Sequence, residues 1–176
     1  TNLSELPAEL YLFQGLPKSD KMELIIQKAV ELGVHEVIPV ATRRAVVKLD
    51  RKKAEKKAER WQTIALGAAK QSKRMQIPTV HMPVTFQQAL AMMAESDVRL
   101  MPYENAEGME GTRKILESIA ILIGPEGGID EAEVEMAMKE KVEPITLGKR
   151  ILRTETAGMT VLSILVYLLE GRERTR

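Results

Sequence analysis

The 176-residue chain has no cysteine, which excludes disulfides, thiolate zinc sites and cysteine nucleophiles together. A cysteine-free chain suits a reducing compartment, and we expect a cytoplasmic location. Only two histidines are present, His35 and His81, and they lie far apart in the sequence. A zinc site or a histidine-based active site is therefore not expected, and we predict no bound metal.

Aromatic residues make up only 3% of the chain, and the formal net charge is +1. Because the charges balance, no global field attracts nucleic acid, and any such partner must be bound by a local patch. The longest apolar run, 157–169, is interrupted by polar residues and glycine and is shorter than the roughly 20 residues of a membrane span. It predicts a buried helix, and no membrane association is expected.

The residues that are present form the pattern of a single α/β domain over 1–176. Apolar residues at 44% and charged residues at 29% are typical of globular proteins. Short β-branched runs alternate with longer helical patterns, which predicts a mostly parallel sheet flanked by helices. The predicted strands are 8–16, 35–42, 97–104, 119–125 and 143–148, and the predicted helices are 19–33, 50–75, 85–96, 130–141 and the apolar segment after Thr154. A loop is predicted at 105–114, and the spacings Asp20–Glu23, Thr85–Gln88 and Asp130–Glu133 predict capping boxes.

The predicted helix at 50–75 carries a dense group of basic residues. Its alanines and Trp61 recur at spacings of three and four, which places them on one buried stripe. Around its other faces, basic residues outnumber Glu55 and Glu59; they are Arg51, Lys52, Lys53, Lys56, Lys57 and Arg60. Such a surface is either a solvated helix face or a phosphate-contacting surface, and the sequence leaves both open.

Two glycine loops follow predicted strands, "IGPEGGI" at 123–129 and "ITLGKRILRTETA" at 145–157. Neither fits a familiar phosphate loop. The second has Glu143 where a Walker A loop needs glycine, and in the first Glu126 replaces the second glycine of the dinucleotide fingerprint. The first loop alone is explained equally well as a tight strand-to-helix turn. Two such loops at the ends of strands of one parallel sheet can line a common crevice.

These motifs resemble a known family. "GPEGGI" followed about twenty residues later by "LGKRILRTETA", together with "QKAVELGVHEVIPV" and "AAKQSKRMQIP", is similar to the RsmE-type methyltransferases that modify N3 of uridine 1498 in 16S ribosomal RNA. This family belongs to the knotted SPOUT superfamily, and the likeness runs from about Leu10 to Leu169. It implies a C-terminal trefoil knot, S-adenosylmethionine as cofactor, 16S rRNA or the small ribosomal subunit as substrate, and a homodimer formed through the C-terminal helix region. It also implies an N-terminal β-rich RNA-binding domain, which we expect to be absent from this chain.

Carried over to the matching positions, the resemblance implies a set of site residues. Arg153 would stabilise negative charge on the uracil oxygens. Glu155 would act as base or orient Arg153, and orientation is favoured because an ordinary carboxylate is a poor base for so weak an acid. The cofactor pocket would contain Pro102, Ile123, Gly124, Pro125, Gly127, Gly128, Leu147, Gly148, Ile151, Leu152 and Thr156, and the candidates for RNA contact are Arg43, Arg44, Arg74 and Arg150.

Other interpretations of these residues stay open. Thr154 as N-cap and Glu155 facing the helix dipole would describe an ordinary helix start, although this leaves Arg150 and Arg153 unexplained. A ribose 2′-O-methyltransferase of the same superfamily, acting on tRNA or rRNA, would have the same fold and cofactor. A non-catalytic RNA-binding module is the third possibility.

Overall fold

A computed structural model of the chain describes residues 4–45, 49–104 and 117–173. The predicted loop at 105–114 lies outside the described residues. The strands are β1 (Glu9–Gly15), β2 (Glu36–Ala41), β3 (Thr79–Val80), β4 (Val84–Thr85), β5 (Val98–Pro102), β6 (Ser118–Ile123) and β7 (Glu143–Ile145). The helices are α1 (Lys21–Glu31), α2 (Arg51–Gln71), α3 (Phe86–Met93), α4 (Glu131–Lys139) and α5 (Thr154–Glu173). All predicted strands and helices are confirmed, whereas the two-residue strands β3 and β4 were not predicted.

The strands form one sheet in the order β3-β2-β1-β6-β5-β7, with β4 also paired to β2. Every described strand pair is parallel, which confirms the predicted parallel sheet. The chain starts in the middle of the sheet at β1 and extends to one side through β2, β3 and β4. It then crosses to the other side to form β5, β6 and β7.

Helices cover both faces of the sheet because the central strands are apolar on both sides. On one face Leu10 and Leu12 of β1 pack with buried residues of α1, α2 and α5. On the other face Phe13 of β1 and Leu122 of β6 pack with buried residues of α3 and α4. The domain therefore has three layers, with two apolar cores separated by the sheet.

The predicted capping boxes have different outcomes. At α3 the Thr85 hydroxyl accepts the N–H of Gln88 and the Gln88 side chain accepts the N–H of Thr85, so this box is confirmed. At α1 the prediction is wrong, because the Asp20 side chain makes no capping hydrogen bond. The Glu23 carboxylate instead accepts a hydrogen bond of 2.6 Å from Arg60 Nε of α2.

The parallel arrangement gathers the functional loops at one edge of the sheet, which we call the carboxyl edge. It holds the loops after β1 (16–20), β6 (124–130) and β7 (146–153), and the starts of α1, α2, α4 and α5. Within the described part of the chain, no helix is long and apolar enough to cross a membrane. The predicted trefoil knot concerns how the chain threads through itself, and it stays a prediction.

Candidate active site

The chain reverses its direction of travel across the sheet between β1 and β6, and ligands of open α/β sheets bind in the crevice at such a point. Ile123 ends β6 at this crevice, and Gly124 follows it. Pro102 ends the neighbouring strand β5, where it pairs in register with Ile145 of β7. The structure thus brings the strand ends that carry the predicted cofactor residues to one edge.

The first glycine loop, 124–130, is closed on itself. A Cβ atom at position 124 would lie 2.9 Å from Cγ1 of Ile129, which leaves no room for any side chain but hydrogen. The N–H of Gly128 donates to the carbonyl of Pro125 at 2.8 Å, and Pro125 is buried. The tight-turn interpretation therefore accounts for Gly124, and the loop presents Gly127 and Gly128 at the surface of the turn.

The second loop, 146–153, has open space beside its glycine, whereas the first loop packs closely around Gly124. Gly148 has φ = +113°, a conformation that strongly favours glycine, and a Cβ atom there would meet nothing within 4 Å. The backbone N–H groups of residues 149–153 donate no hydrogen bond to any described residue. Leu147 packs against the core, but Ile151 is 83% exposed. This loop offers free backbone donors and an uncovered apolar side chain.

A buried hydrogen-bond chain connects the start of α5 to both central strands. Gln14 of β1 is fully buried, and its Nε2 donates to the Thr154 hydroxyl at 2.7 Å and to the Gly15 carbonyl at 2.9 Å. The Thr154 hydroxyl in turn donates to the Gly124 carbonyl at 2.6 Å. Thr154 is the first residue of α5 and not the residue before it, and its hydroxyl binds the neighbouring strand end.

Lys21, at the start of α1, lies between two carboxylates of the site. Its Nζ is 3.4 Å from Glu126 Oε1 and 3.8 Å from Glu155 Oε2. Burial by itself would raise the pKa of Glu126, but the hydrogen bond from the Lys18 N–H and the Lys21 charge outweigh it and lower that pKa. The negative charge of Glu126 is therefore balanced by Lys21, and this contact holds the first glycine loop to α1.

The geometry of the site agrees with a match to a known family. A family model described as an RNA methyltransferase domain matches residues 4–166. The chain belongs to this family. The predicted resemblance is thereby confirmed.

Relatives within the RNA methyltransferase family support the assignment. The ribosomal RNA small subunit methyltransferase E of Bacillus subtilis is 45% identical, over 94% of this chain and 68% of its own length. The solved structure of the enzyme of that name from Neisseria gonorrhoeae, bound to S-adenosyl methionine, has a TM-score of 0.86 at 35% identity, with 93% and 68% of the two chains covered. A methyltransferase from Legionella pneumophila in complex with the same cofactor has a TM-score of 0.85 at 34% identity, with 93% and 67% covered.

In this methyltransferase domain, Arg150 and Arg153 are exposed just before α5, and their side chains have no hydrogen-bond or ion-pair partner among the described residues. Glu155 differs from them. Its side chain is 15% exposed, and its buried Oε2 has no hydrogen-bond partner in the described structure. The predicted catalytic pair thus combines a cation open to solvent with a carboxylate held at the wall of the site. Leu152 is half-buried and Thr156 is exposed on the first turn of α5.

Arg43 and Arg44 follow β2 and reach the first glycine loop. Arg44 Nη1 donates to the Gly127 carbonyl at 2.9 Å. Arg43 Nη1 lies 3.6 Å from Asp130 Oδ1, while its backbone N–H donates to the Glu133 carboxylate. Burial raises the pKa of Glu133, although the Arg43 N–H opposes this shift. Both arginine side chains are largely exposed and border the site, so an RNA contact stays a prediction for each.

Arg74 requires a correction, because the structure does not leave its side chain accessible to RNA. The side chain is 3% exposed. Its guanidinium donates to the Glu5 carboxylate at 2.6 Å and to the carbonyls of Val30 and Val34. Arg74 therefore ties the end of α2 to the end of α1 and to the chain before β1, and sequence spacing alone gave no sign of this burial.

Two residues of the site were missed at the level of sequence. The strand pattern at 8–16 does not single out Gln14, although a polar residue inside the apolar run "LYLFQGL" is a signal of a buried hydrogen-bond partner. The helix pattern at 19–33 likewise does not single out Lys21. The described side chains contain no group of three or more ligand-type residues that could hold a metal ion.

Proposed function

We propose that this chain transfers the methyl group of S-adenosylmethionine to N3 of a uridine in small-subunit ribosomal RNA. One observation carries the proposal. The open glycine loop 146–153 and the pair Arg153 and Glu155 lie together at the carboxyl edge, beside the crevice between β1 and β6. The relationship to the RNA methyltransferase family supports the reaction class. The relatives named as small-subunit rRNA methyltransferases support the choice of RNA.

The residues of the second loop suit the cofactor. An adenine ring requires apolar surfaces and backbone hydrogen bonds, and this loop offers Ile151, Leu152 and free N–H groups. The open space above Gly148 lets a ligand approach the backbone closely. Pro102, Ile123, Gly124 and the exposed face of the first loop would form the remaining walls. When bound, S-adenosylmethionine supplies an electrophilic methyl group on a sulfonium ion.

The protein has to orient the uracil base and help its N3 proton leave. As N3 attacks, negative charge spreads to the two flanking uracil oxygens, and a fixed cation beside them lowers the barrier. Arg153 fits this task because its charge is not neutralised by any described carboxylate. Oε2 of Glu155 lies near Lys21 but accepts no hydrogen bond from a described residue, so it would be an acceptor for Arg153 or for the departing proton.

We also propose that Lys21 and Gln14 position the catalytic residues without touching the substrate. Lys21 holds Glu155 and the glycine loop through its two carboxylate contacts. Gln14 fixes Thr154, which directly follows Arg153 in the chain. Both contacts come from the β1–α1 segment, so this segment sets where the start of α5 stands relative to the cofactor loop.

The exposed face of α5 supports the proposed homodimer. Ile164, Tyr167 and Leu168 recur at spacings of three and four and are 46%, 78% and 46% exposed. An apolar stripe of this kind on a helix at the surface favours burial against a partner. A second copy of the chain presents the same stripe, as a two-fold interface requires.

Two measurements test the function. Calorimetric titration with S-adenosylmethionine should give a saturable heat, and the loss of both heat and thermal stabilisation would favour the non-catalytic RNA-binding module. Methyl transfer to small ribosomal subunits that lack the modification should then follow. Because an N3 methyl blocks the Watson–Crick edge, reverse transcriptase should stop at the product, whereas full read-through would favour the 2′-O-methyltransferase alternative.

The roles of the two arginines at the start of α5 can be separated by substitution. Arg153→Ala should retain cofactor binding and lose transfer, since it removes a charge that acts only on the reacting base. Arg150→Ala should weaken RNA binding and leave the rate at saturating substrate close to that of the parent chain. Unchanged activity of Arg153→Ala would remove Arg153 from the mechanism. Cell fractionation, with the chain expected in the cytoplasm beside ribosomal subunits, tests the proposed location.

A further inference from the structure

The first half of α2 carries an ordered stripe of cations. Lys53, Lys56, Lys57 and Arg60 are spaced as i, i+3, i+4 and i+7, so they project from one side of the helix. All four are exposed. We call these four residues the basic stripe.

The acidic residues of this helix segment lie on a different side. Glu55 and Glu59 are four residues apart and form their own row, and Glu55 pairs with Arg51 at 3.4 Å. Within the basic stripe only Arg60 has an ion-pair partner among the described residues, the carboxylate of Glu23 on α1. An ordinary solvated helix face would mix the two signs, whereas here they are segregated.

The basic stripe begins at the carboxyl edge of the sheet. α2 follows β2 in a parallel sheet, so its first turns lie at the same edge as the candidate active site. Lys57 lines a cleft of about 160 Å³ together with Leu16, Pro17 and Asp20 of the loop after β1. Lys18, which follows Pro17 in the same loop, donates its N–H to the Glu126 carboxylate of the first glycine loop. The stripe is therefore continuous with the site through one short loop.

The cations in the first turn of α2, Lys53 of the basic stripe among them, weaken the helix that carries them. The first turn of α2 has no acidic residue and contains Arg51, Lys52 and Lys53. Cations at a helix N-terminus are unfavourable by about 0.3–1 kcal/mol each at low salt. Two described anions lie near this turn: Asp50 caps the helix by accepting the N–H of Lys53, and Glu55 pairs with Arg51. A sequence that breaks a local rule without a structural gain marks a functional surface.

We propose that the basic stripe binds the phosphate backbone of the RNA that flanks the methylated uridine. The inference rests on the proposed function in that the RNA is the substrate. Lys53, Lys56 and Lys57 each neutralise a phosphate, and Arg60 remains tied to Glu23 and fixes the stripe to α1. The stripe contacts no base, so it contributes affinity and register and not sequence specificity.

The test compares two triple variants with equal loss of charge. The first is Lys53→Gln, Lys56→Gln, Lys57→Gln. The control is Lys28→Gln, Lys70→Gln, Lys139→Gln, whose lysines lie in the last turns of α1, α2 and α4, at the opposite edge of the sheet. Binding of a fluorescent 20-nucleotide oligouridylate is measured by anisotropy across a salt series, and KM and kcat are measured with unmodified small ribosomal subunits.

The stripe variant should bind the oligonucleotide at least about tenfold more weakly near 0.1 M salt, and its salt slope should fall by about 2, because each phosphate contact on a single strand contributes about 0.7. Its KM for subunits should rise while its affinity for S-adenosylmethionine is unchanged. The control should stay within about twofold of the parent chain. Equal behaviour of the two variants would overturn the proposal.

The same experiment separates this inference from the proposed function. If the parent chain methylates subunits and both triple variants have the parent KM, the stripe proposal fails and the function stands. If the parent chain binds no S-adenosylmethionine and the stripe variant still loses oligonucleotide binding, the surface stands and the methyltransferase function fails.

Discussion

The hydrogen-bond chain Gln14–Thr154–Gly124 gives a sharp test of how the start of α5 is held. Thr154→Val keeps the shape of the side chain and removes its hydroxyl. The Gly124 carbonyl then loses its 2.6 Å donor and one N–H of Gln14 loses its 2.7 Å acceptor, while Gln14 keeps its bond to Gly15. A buried polar group left without a partner costs about 1–3 kcal/mol, so we expect a loss of about 2–4 kcal/mol in the free energy of unfolding.

Substituting the other partner should have a much smaller effect. The Oε1 atom of Gln14 is already buried without a hydrogen bond, and Gln14→Leu removes this unsatisfied atom as well as the donor. Thr154 still donates to Gly124 in that variant. We expect Gln14→Leu to cost less than about 1 kcal/mol, and the double variant to show a coupling of about 1 kcal/mol between the two sites.

Urea denaturation of the two single variants and the double variant measures these values. Thr160→Val is the matched control, because its hydroxyl also donates on α5, to the Thr156 carbonyl at 2.8 Å, but in a solvent-exposed hydrogen bond. It should change the free energy of unfolding by less than about 0.5 kcal/mol. If Thr154→Val and Thr160→Val are equally mild, the buried chain does not hold the start of α5 and the reasoning fails.

Substitutions at three further positions test the remaining features. Lys21→Met should lower the transfer rate about ten- to hundredfold through misplacement of Glu155, and Lys21→Arg should restore most of it; equal rates for both variants would exclude a positioning role for the charge. Tyr167→Glu should convert the proposed dimer to a monomer in sedimentation velocity without changing the circular dichroism spectrum, and an unchanged sedimentation coefficient would place any dimer contact elsewhere. The raised pKa of Glu133 means that the folded state holds this proton more tightly than the unfolded chain, whose value is near 4.5, so its contribution to stability is complete below that pH and is lost as the pH rises through the folded-state pKa. Glu133→Gln should flatten this part of the stability–pH curve, and a curve of unchanged slope would assign it to other groups.

The fold could be predicted from the sequence wherever the cause is local. The box at Thr85–Gln88 involves residues three apart, and it forms as predicted. The same spacing at Asp20–Glu23 fails because Arg60, 37 residues away, takes the Glu23 carboxylate. The predicted RNA contact of Arg74 fails for the same reason, since its guanidinium is bound by Glu5 and by the carbonyls of Val30 and Val34. Long-range partners of this kind are decided by packing and leave no periodic signal.

The same distinction between local and long-range causes applies to the candidate site. The strand ends and glycine loops could be placed because parallel topology forces them to one edge, and the family motif names the residues within them. The supports of the site could not be placed, because Gln14 and Lys21 act across 140 and 134 residues of sequence, respectively, on Thr154 and Glu155. The contacts that position a catalytic residue depend on the folded chain and cannot be read from nearby sequence. The chemical role of that residue can be predicted from its local motif.

The charges at the carboxyl edge follow one physical pattern. The starts of α2 and α5 both carry cations that no described anion fully neutralises, Lys53, Lys56 and Lys57 at one and Arg150 and Arg153 at the other. Lys53 in the first turn of α2 and Arg153 directly before α5 are unfavourable for their helices, whereas the carboxylate of Glu126 at the same edge is paired with Lys21. In a chain with a net charge of only +1, these five cations lie together at the carboxyl edge. An anion that spans both helix starts would satisfy every one of these cations, and the phosphate backbone of a single RNA strand, with a target base turned toward Arg153, has the required charge and length.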